Sequence, residues 1–246
     1  MALAAVAALV GATIQSATGF GFALVLSPAM FAVVDPEEAV GALLLLGLAL
    51  NSLVLIEDGG HANWRRIAPM LAAAVPGLIA GVLLLSALSK EALQVIVGLA
   101  VIGAGAWQLR ARRSARSEQR PADMSAAVGW AVGFMSGTMT TSISVSGPPI
   151  VLWLEAHGVR PTEFRATLAA SFLALNLAGW VMLFAAEGSD SLDLGLVAPL
   201  LGLVLVGHLL GTAAFRRIAP QRFFLIALVL VMCTGAASLV AGLGLV

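Results

Sequence analysis

Charged residues are scarce: Asp, Glu, Lys and Arg make up 11% of the 246 residues, where soluble domains carry roughly 25%. Those present cancel, 13 basic against 13 acidic, so no net field recommends nucleic acid as a partner. Cysteine occurs once, as Cys233 within an apolar run. That excludes an intramolecular disulfide, a CxxC pair and a cysteine-rich metal site, and the residue reads as a small buried apolar side chain. There is no GxSxG elbow, and no histidine has an evident link to Ser146, which leaves an intramembrane hydrolase without its machinery. The expected protein is not an enzyme and uses neither metal nor cofactor. No long apolar segment has a carboxylate at its centre, which removes the commonest proton relay and weakens the case for a sodium site. No composition shift marks an appended soluble domain. The stretch Ala2 to Val10 is apolar, lacks a basic flank and runs straight into polar residues, unlike a cleaved signal.

What the chain has in quantity is apolar surface, with 60% hydrophobic residues and a mean hydropathy of +1.02. It reads as an all-α polytopic membrane protein. Six segments are long enough to span, at about 20 residues per crossing: Pro36 to Ile56, Ile67 to Leu88, Glu91 to Leu109, Pro161 to Ala186, Leu194 to Phe215 and Arg222 to Leu245. Two other apolar regions are interrupted. In one, Gly11, Thr13, Gln15, Ser16, Thr18, Gly19 and Gly21 break a run that resumes at Phe22 and ends with Pro28. In the other, seven hydroxyl residues between Ser136 and Ser146 lead into Gly147-Pro148-Pro149. A proline pair breaks helical geometry, and irregular backbone at membrane depth survives only where protein covers it or it lines a polar cavity. The arms (Ala2 to Ile14 with Phe22 to Val34; Ser125 to Met139 with Gly147 to Val159) reach only about 20 Å each. Each pair is expected to form a hairpin that enters and leaves on one side, with its broken tip at a substrate site.

Arginine placement disfavours eight spans, while re-entrant hairpins and pairs of arms that each cross fully give the same sidedness. With them, Arg65, Arg66, Arg110, Arg112, Arg113, Arg116, Arg120, Arg160, Arg165, Arg216, Arg217 and Arg222 share one side and only Lys90 lies opposite. If each interrupted segment crossed once, the split would be seven to six, which the positive-inside rule disfavours. The Arg-rich loop is then cytoplasmic and both termini face outward.

The halves also repeat. Shifted by 125 positions, Thr13 falls on Thr138, Pro36 on Pro161, Glu38 on Glu163 and Leu48-Ala49-Leu50-Asn51 on Leu173-Ala174-Leu175-Asn176. Shifted by 130, Ala68-Pro69 falls on Ala198-Pro199, Gly77 on Gly207, Gly81 on Gly211 and Gly105-Ala106 on Gly235-Ala236. A hairpin plus three spans crosses an odd number of times, so the second copy must be inverted. The expected organisation is a first inverted repeat over 1–109, a cytoplasmic loop over 110–124 and a second repeat over 125–246, as in secondary transporters. Asp35-Pro36 with Glu37 and Glu38, and Pro161 with Glu163, mark helix starts. Gly77 with Gly81, and Gly207 with Gly211, form small-residue faces for close helix packing.

A small oxyanion in a low-dielectric region needs donors in place of its water. Hydroxyls and exposed amides supply them without a trapping countercharge. The candidates are Thr138, Thr140, Thr141, Ser142, Ser144, Ser146 and Gly147, with Thr13, Gln15, Ser16, Thr18, Gly19 and Gly21 as their counterparts; the plain alternative is that these groups satisfy their own broken backbone. Asn51 and Asn176 lie roughly 22 Å along their helices and either complete the site or join helices. Arg165, whose mate in the first half is Val40, either recruits the anion at the cytoplasmic mouth or snorkels to the interface. His208, in mid-span, is a candidate for proton coupling; His61 and His157 lie near loops.

Gly19-Phe20-Gly21-Phe22-Ala23 followed by Pro28, the run from Ser146 to Trp153, and Arg165-Ala166-Thr167 ahead of Asn176 together resemble the TauE/SafE family of membrane permeases. The resemblance implies export of small sulfur-containing anions such as sulfite, sulfoacetate or related sulfonates from a bacterial inner membrane, with lipids as the other partners. The residues themselves leave the oligomeric state open. They suit alternating-access export driven by the membrane potential, with proton-coupled import of small organic anions as the alternative.

Overall fold

The computed structural model describes residues 1–114, 126–188, 193–215 and 220–244. Among them are ten α-helices, one 3₁₀ turn and no strand. In chain order the helices are α1 (Ala2–Thr18), α2 (Phe22–Val33), α3 (Pro36–Asp58), α4 (Trp64–Ala87), α5 (Lys90–Ser114), α6 (Ala126–Ile143), α7 (Gly147–Ala156), α8 (Pro161–Glu187), α9 (Leu194–Phe215) and α10 (Pro220–Gly242); the turn is Gly59–His61. Helices α3, α4, α5, α8 and α9 are long and apolar enough to cross a membrane. Much of their outer surface is bare hydrocarbon, as at Leu83, Leu99, Leu177 and Leu209, a surface that lipid rather than water would cover. The protein is a multi-pass membrane protein. Most of the Arg-rich loop expected over 110–124, together with Arg216 and Arg217, lies outside the described residues, as does Leu245 at the end of the sixth expected span.

The two interrupted regions are helical hairpins, α1–α2 and α6–α7, but their first arms are longer than the sequence suggested. Helix α1 runs to Thr18 and α6 to Ile143, so most of the polar residues sit on helices and the breaks are only three residues long. The reason is local: Thr13, Thr18, Thr138, Thr140 and Ser142 each donate to the carbonyl four residues back, at 2.6–3.0 Å, and so need no water inside a helix. Even so, the longest arm, α6 with 18 residues, reaches about 27 Å against a hydrocarbon core of about 30 Å. The chain turns where a left-handed residue ends each first arm, Gly19 at φ 92° and Ser144 at φ 57°. Pro148 and Pro149 then fall in the first turn of α7, where a missing amide costs no helical bond. Pro28 does not end α2, which continues to Val33; the Leu24 carbonyl that Pro28 cannot serve accepts from Thr234 Oγ1 at 3.4 Å.

Helix α3 is the axis of the core. From Ala39 to Leu46 nearly every side chain is buried, against Leu26, Met30 and Phe31 of α2 and Leu183 of α8. Asp35 occupies the N-cap of α3 but makes no capping bond; it lies 3.8 Å from Lys90 instead. Cys233, expected to be buried, is exposed on α10.

The remaining packing is an exchange between halves: α4 lies on α6, α1 on α9, α3 on α8 and α5 on α10. Swapping the first five helices for the last five converts the first of these pairs into the second. Glycines set both. A Cβ on Gly77 would strike the Phe134 carbonyl and one on Gly81 the Thr138 carbonyl, while one on Gly207 would strike that of Leu9 and one on Gly211 that of Thr13. At the two sequence offsets this is the same contact made twice. Because the obstructing atoms are backbone, they cannot rotate away. Replacing Gly81 or Gly211 by leucine should therefore lower Tm in detergent by more than about 4 °C, whereas Gly202→Ala, with open space at its Cβ, should leave it unchanged. Equal thermal shifts for the three variants would refute this packing account.

Candidate functional site

The hairpin tips meet. Ser27 Oγ of α2 donates to the Ile143 carbonyl at the end of α6, at 2.8 Å. Beside this contact is a small open cleft that draws its walls from both hairpins and from α3 and α8. Gln15 and residues 20–24 come from the first tip, residues 144–147 from the second, Leu43, Gly47 and Asn51 from α3, and Phe172 and Asn176 from α8. Among the described residues the lining contains amides, hydroxyls and aromatic rings and no charged side chain.

Gln15 organises the first wall. Its Oε1 accepts from the Phe22 amide at 3.2 Å, tying off one of the free donors at the start of α2, and its Nε2 donates to Asn51 Oδ1 at 2.9 Å. Asn51 Nδ2 donates in turn to the Gly47 carbonyl at 2.7 Å. Each of these amide nitrogens carries two hydrogens, and among the described residues only one on each has a partner. Asn176 packs its Nδ2 against Gly47, at the spot a Cβ there would occupy, and has no hydrogen-bond partner among the described residues. Ser146 is the N-cap of α7 and makes no capping bond, so its hydroxyl remains available to the cleft. Helices α2 and α7 both begin at the cleft, and the partial positive charge of a helix start favours an anion. What the walls offer is a set of neutral donors.

Of the expected site residues, Gln15, Gly21, Asn51, Ser144, Ser146, Gly147 and Asn176 line this cleft. Both asparagines line it, and Asn51 also joins α3 to α1 through Gln15. Ser144 also donates to the Val40 carbonyl at 3.4 Å. Thr13, Thr18, Thr138, Thr140, Thr141 and Ser142 lie outside it with their hydroxyls on carbonyls. Thr141 donates to Leu78 of α4 at 2.7 Å, which joins two helices, and Thr18 donates to Phe20 at 2.7 Å, which shapes the first tip.

Of the four remaining candidates, Gly19 packs on Arg165, and Ser16, Arg165 and His208 belong to a separate charged cluster. Ser16 Oγ is 2.9 Å from His208 Nδ1. His208 Nε2 is 3.2 Å from Glu57 Oε1, Glu57 Oε2 is 3.3 Å from Arg165 Nη2, and Arg165 Nε is 2.9 Å from Asp58 Oδ2. The Arg165 side chain is 12% exposed, and its Cα and Cγ lie 3.4 Å from where a Cβ would stand on Gly19. Glu57 and Asp58 were missed because the apolar run of α3 has ended by then and they read as loop residues. The available clue was Arg165 itself, a cation near a span with no mate in the first half. The aromatic lining, Phe20, Phe22 and Phe172, had no sequence signal distinguishing it from core.

No solved structure matches this chain. A probable sulfite/organosulfonate exporter TauE from Cupriavidus necator is 28% identical over 167 residues, 66% of this chain and 63% of that protein. The chain thus spans under two thirds of the length of that curated relative. The family described as sulfite exporter TauE/SafE matches residues 3–238. With hairpin tips, spans and cleft in place, that match over nearly the whole sequence assigns the chain to the TauE/SafE family.

Proposed function

We propose that the protein is a secondary transporter that exports small sulfur-containing anions, such as sulfite, sulfoacetate or related sulfonates, from the cytoplasm of a bacterium across its inner membrane. The observation that carries this reading is the cleft between the hairpin tips. Its donors are neutral, two helices start at it, and no carboxylate in its walls would repel an anion. Neutral donors can replace part of a hydration shell without the deep binding that a buried lysine or arginine would impose. The name of the Cupriavidus relative supplies the substrate class.

The halves are read as inverted repeats, 1–109 and 125–246, joined by a cytoplasmic segment, with both termini outside. The duplicated glycine contacts and the bias of the basic residues support that arrangement, and alternating access follows if one hairpin and its partner spans rock against the other. For a monoanion the inside-negative potential favours exit by about 2.3 kcal/mol per 100 mV, roughly 40-fold at equilibrium. Proton-coupled import of small organic anions is the second reading, favoured by the contact of His208 with Glu57.

Titration of purified protein with sulfite, sulfoacetate, taurine, acetate and sulfate tests the site. Sulfoacetate should bind, and Asn176→Leu or Ser146→Ala should weaken it by about tenfold each, the worth of one hydrogen bond to a charged group. Thr140→Ala, whose hydroxyl already serves the Ser136 carbonyl, should stay within about twofold of the parent. Binding of none of the five, or equal losses in all three variants, would remove the cleft from consideration.

Proteoliposomes separate the driving forces. An imposed potential of about 100 mV should shift the steady-state distribution of a transported anion up to about 40-fold for each charge it carries, with no pH gradient present. Accumulation that needs a pH gradient, and is lost in His208→Ala, would instead establish the import reading.

A further inference from the structure

Resting on the anion-transport reading, we propose that Arg165 is a loading station beside the cleft, and that protonation of His208, transmitted through Glu57, controls whether an anion can use it. The station is built from four helices: Ser16 from α1, Glu57 and Asp58 from α3, Arg165 from α8 and His208 from α9. Arg165 packs on Gly19, and Gly21, two residues further along the same tip, lines the cleft. An anion held by the guanidinium is therefore at the threshold of the neutral site.

Glu57 is shared between two partners. One carboxylate oxygen faces His208 and the other faces Arg165. Asp58 approaches Arg165 more closely, at 2.9 Å against 3.3 Å, and has no second partner in the cluster. Glu57 is thus the carboxylate an incoming anion displaces. When His208 is neutral, two carboxylates oppose one guanidinium and the cluster carries a net charge of −1, which repels a second anion. When His208 is an imidazolium the cluster is neutral, Glu57 keeps a cationic partner after leaving Arg165, and an anion can take its place. The Ser16 hydroxyl fits both states because it can donate to a bare Nδ1 or accept from a protonated one.

Among the described residues few other groups can contribute; one that can is His61, whose Nδ1 lies 3.3 Å from the Asp58 carbonyl. Helix α1, the main neighbour of α9, contains no ionisable side chain, and His208 is the only one on α9. Helix α3 brings only Glu57 and Asp58 to this end, since Glu37 and Glu38 are in its first turn. Glu163, on the same helix as Arg165, accepts from Asn63 Nδ2 at 3.0 Å. His208 has 4% of its surface exposed and the Arg165 side chain 12%, while Glu57 and Asp58 are 38% and 35% exposed, so water screens the carboxylates more than their two partners.

The test is sulfoacetate affinity of the purified protein across the neutral pH range, where the charge of this anion is constant. The parent should bind more tightly as pH falls, by up to about tenfold per pH unit for one linked proton. His208→Asn should bind with no pH slope. Glu57→Gln should also lose the slope and bind at least as tightly as the parent at its acidic limit, because it removes the competing charge. A pH slope that persists in both variants, or a parent with no slope, would overturn the coupling while leaving the cleft assignment intact. Absence of sulfoacetate binding at every pH would overturn the anion-site reading and this proposal with it.

Discussion

A helix broken inside hydrocarbon leaves amides that water cannot reach, and the pair of hydrogen bonds made by Gln15 is how the first tip meets that constraint. One end of the side chain closes the start of α2 and the other holds Asn51, so the broken backbone and the deepest polar residue of α3 are fixed together. The second tip uses different means. Ser144 takes the left-handed conformation without being glycine, held by the contact of its hydroxyl with α3, and two prolines dispose of amides that would otherwise need partners. Both solutions leave donors directed at the same small volume. The cleft follows from how each break is satisfied, so polar residues at its rim serve structure and chemistry together.

The exchange of helices between halves keeps the tips in register. Helix α1 rests on α9 and α6 on α4 through contacts that admit no Cβ. Each hairpin is therefore seated on a span from the other half, and a shift of α4 or α9 would carry the opposite hairpin with it. Since Ser27 also bonds the end of α6, the tips are coupled directly as well as through their supports. A site shared by both tips then responds to movement of either half, a geometric requirement of alternating access.

The sequence was most readable where one residue type has few uses. Glycines four apart on an apolar span imply close packing, and Gly77, Gly81, Gly207 and Gly211 do this against named carbonyls. Prolines after a polar run imply a break, and α7 begins there. Hydroxyls were less informative because a threonine can bond its own helix or something else, and only coordinates distinguish the two. Thr138, Thr140 and Ser142 chose the helix, which moved the break several residues downstream of where their density suggested. Partnerships between distant residues were least readable. Nothing local in Glu57 or Asp58 points to Arg165, more than a hundred residues away, and only the need of a near-buried cation for a counterion could have raised the question.

Keeping charge out of the cleft and beside it answers two requirements that conflict at one place. Capture from water benefits from a full positive charge, because the attraction reaches about a Debye length and raises the encounter rate. Release on the far side is hindered by that same charge once water is excluded, since an ion pair in low dielectric is deep. On the export reading, Gln15, Asn51, Asn176 and Ser146, which line the cleft, would supply shallow neutral binding to the passing ion. Under the same proposal Arg165 would supply the attraction and its own carboxylates would limit it, since Glu57 and Asp58 together outweigh the single guanidinium charge. In that proposal a lone arginine would hold its first anion, whereas one already paired exchanges partners.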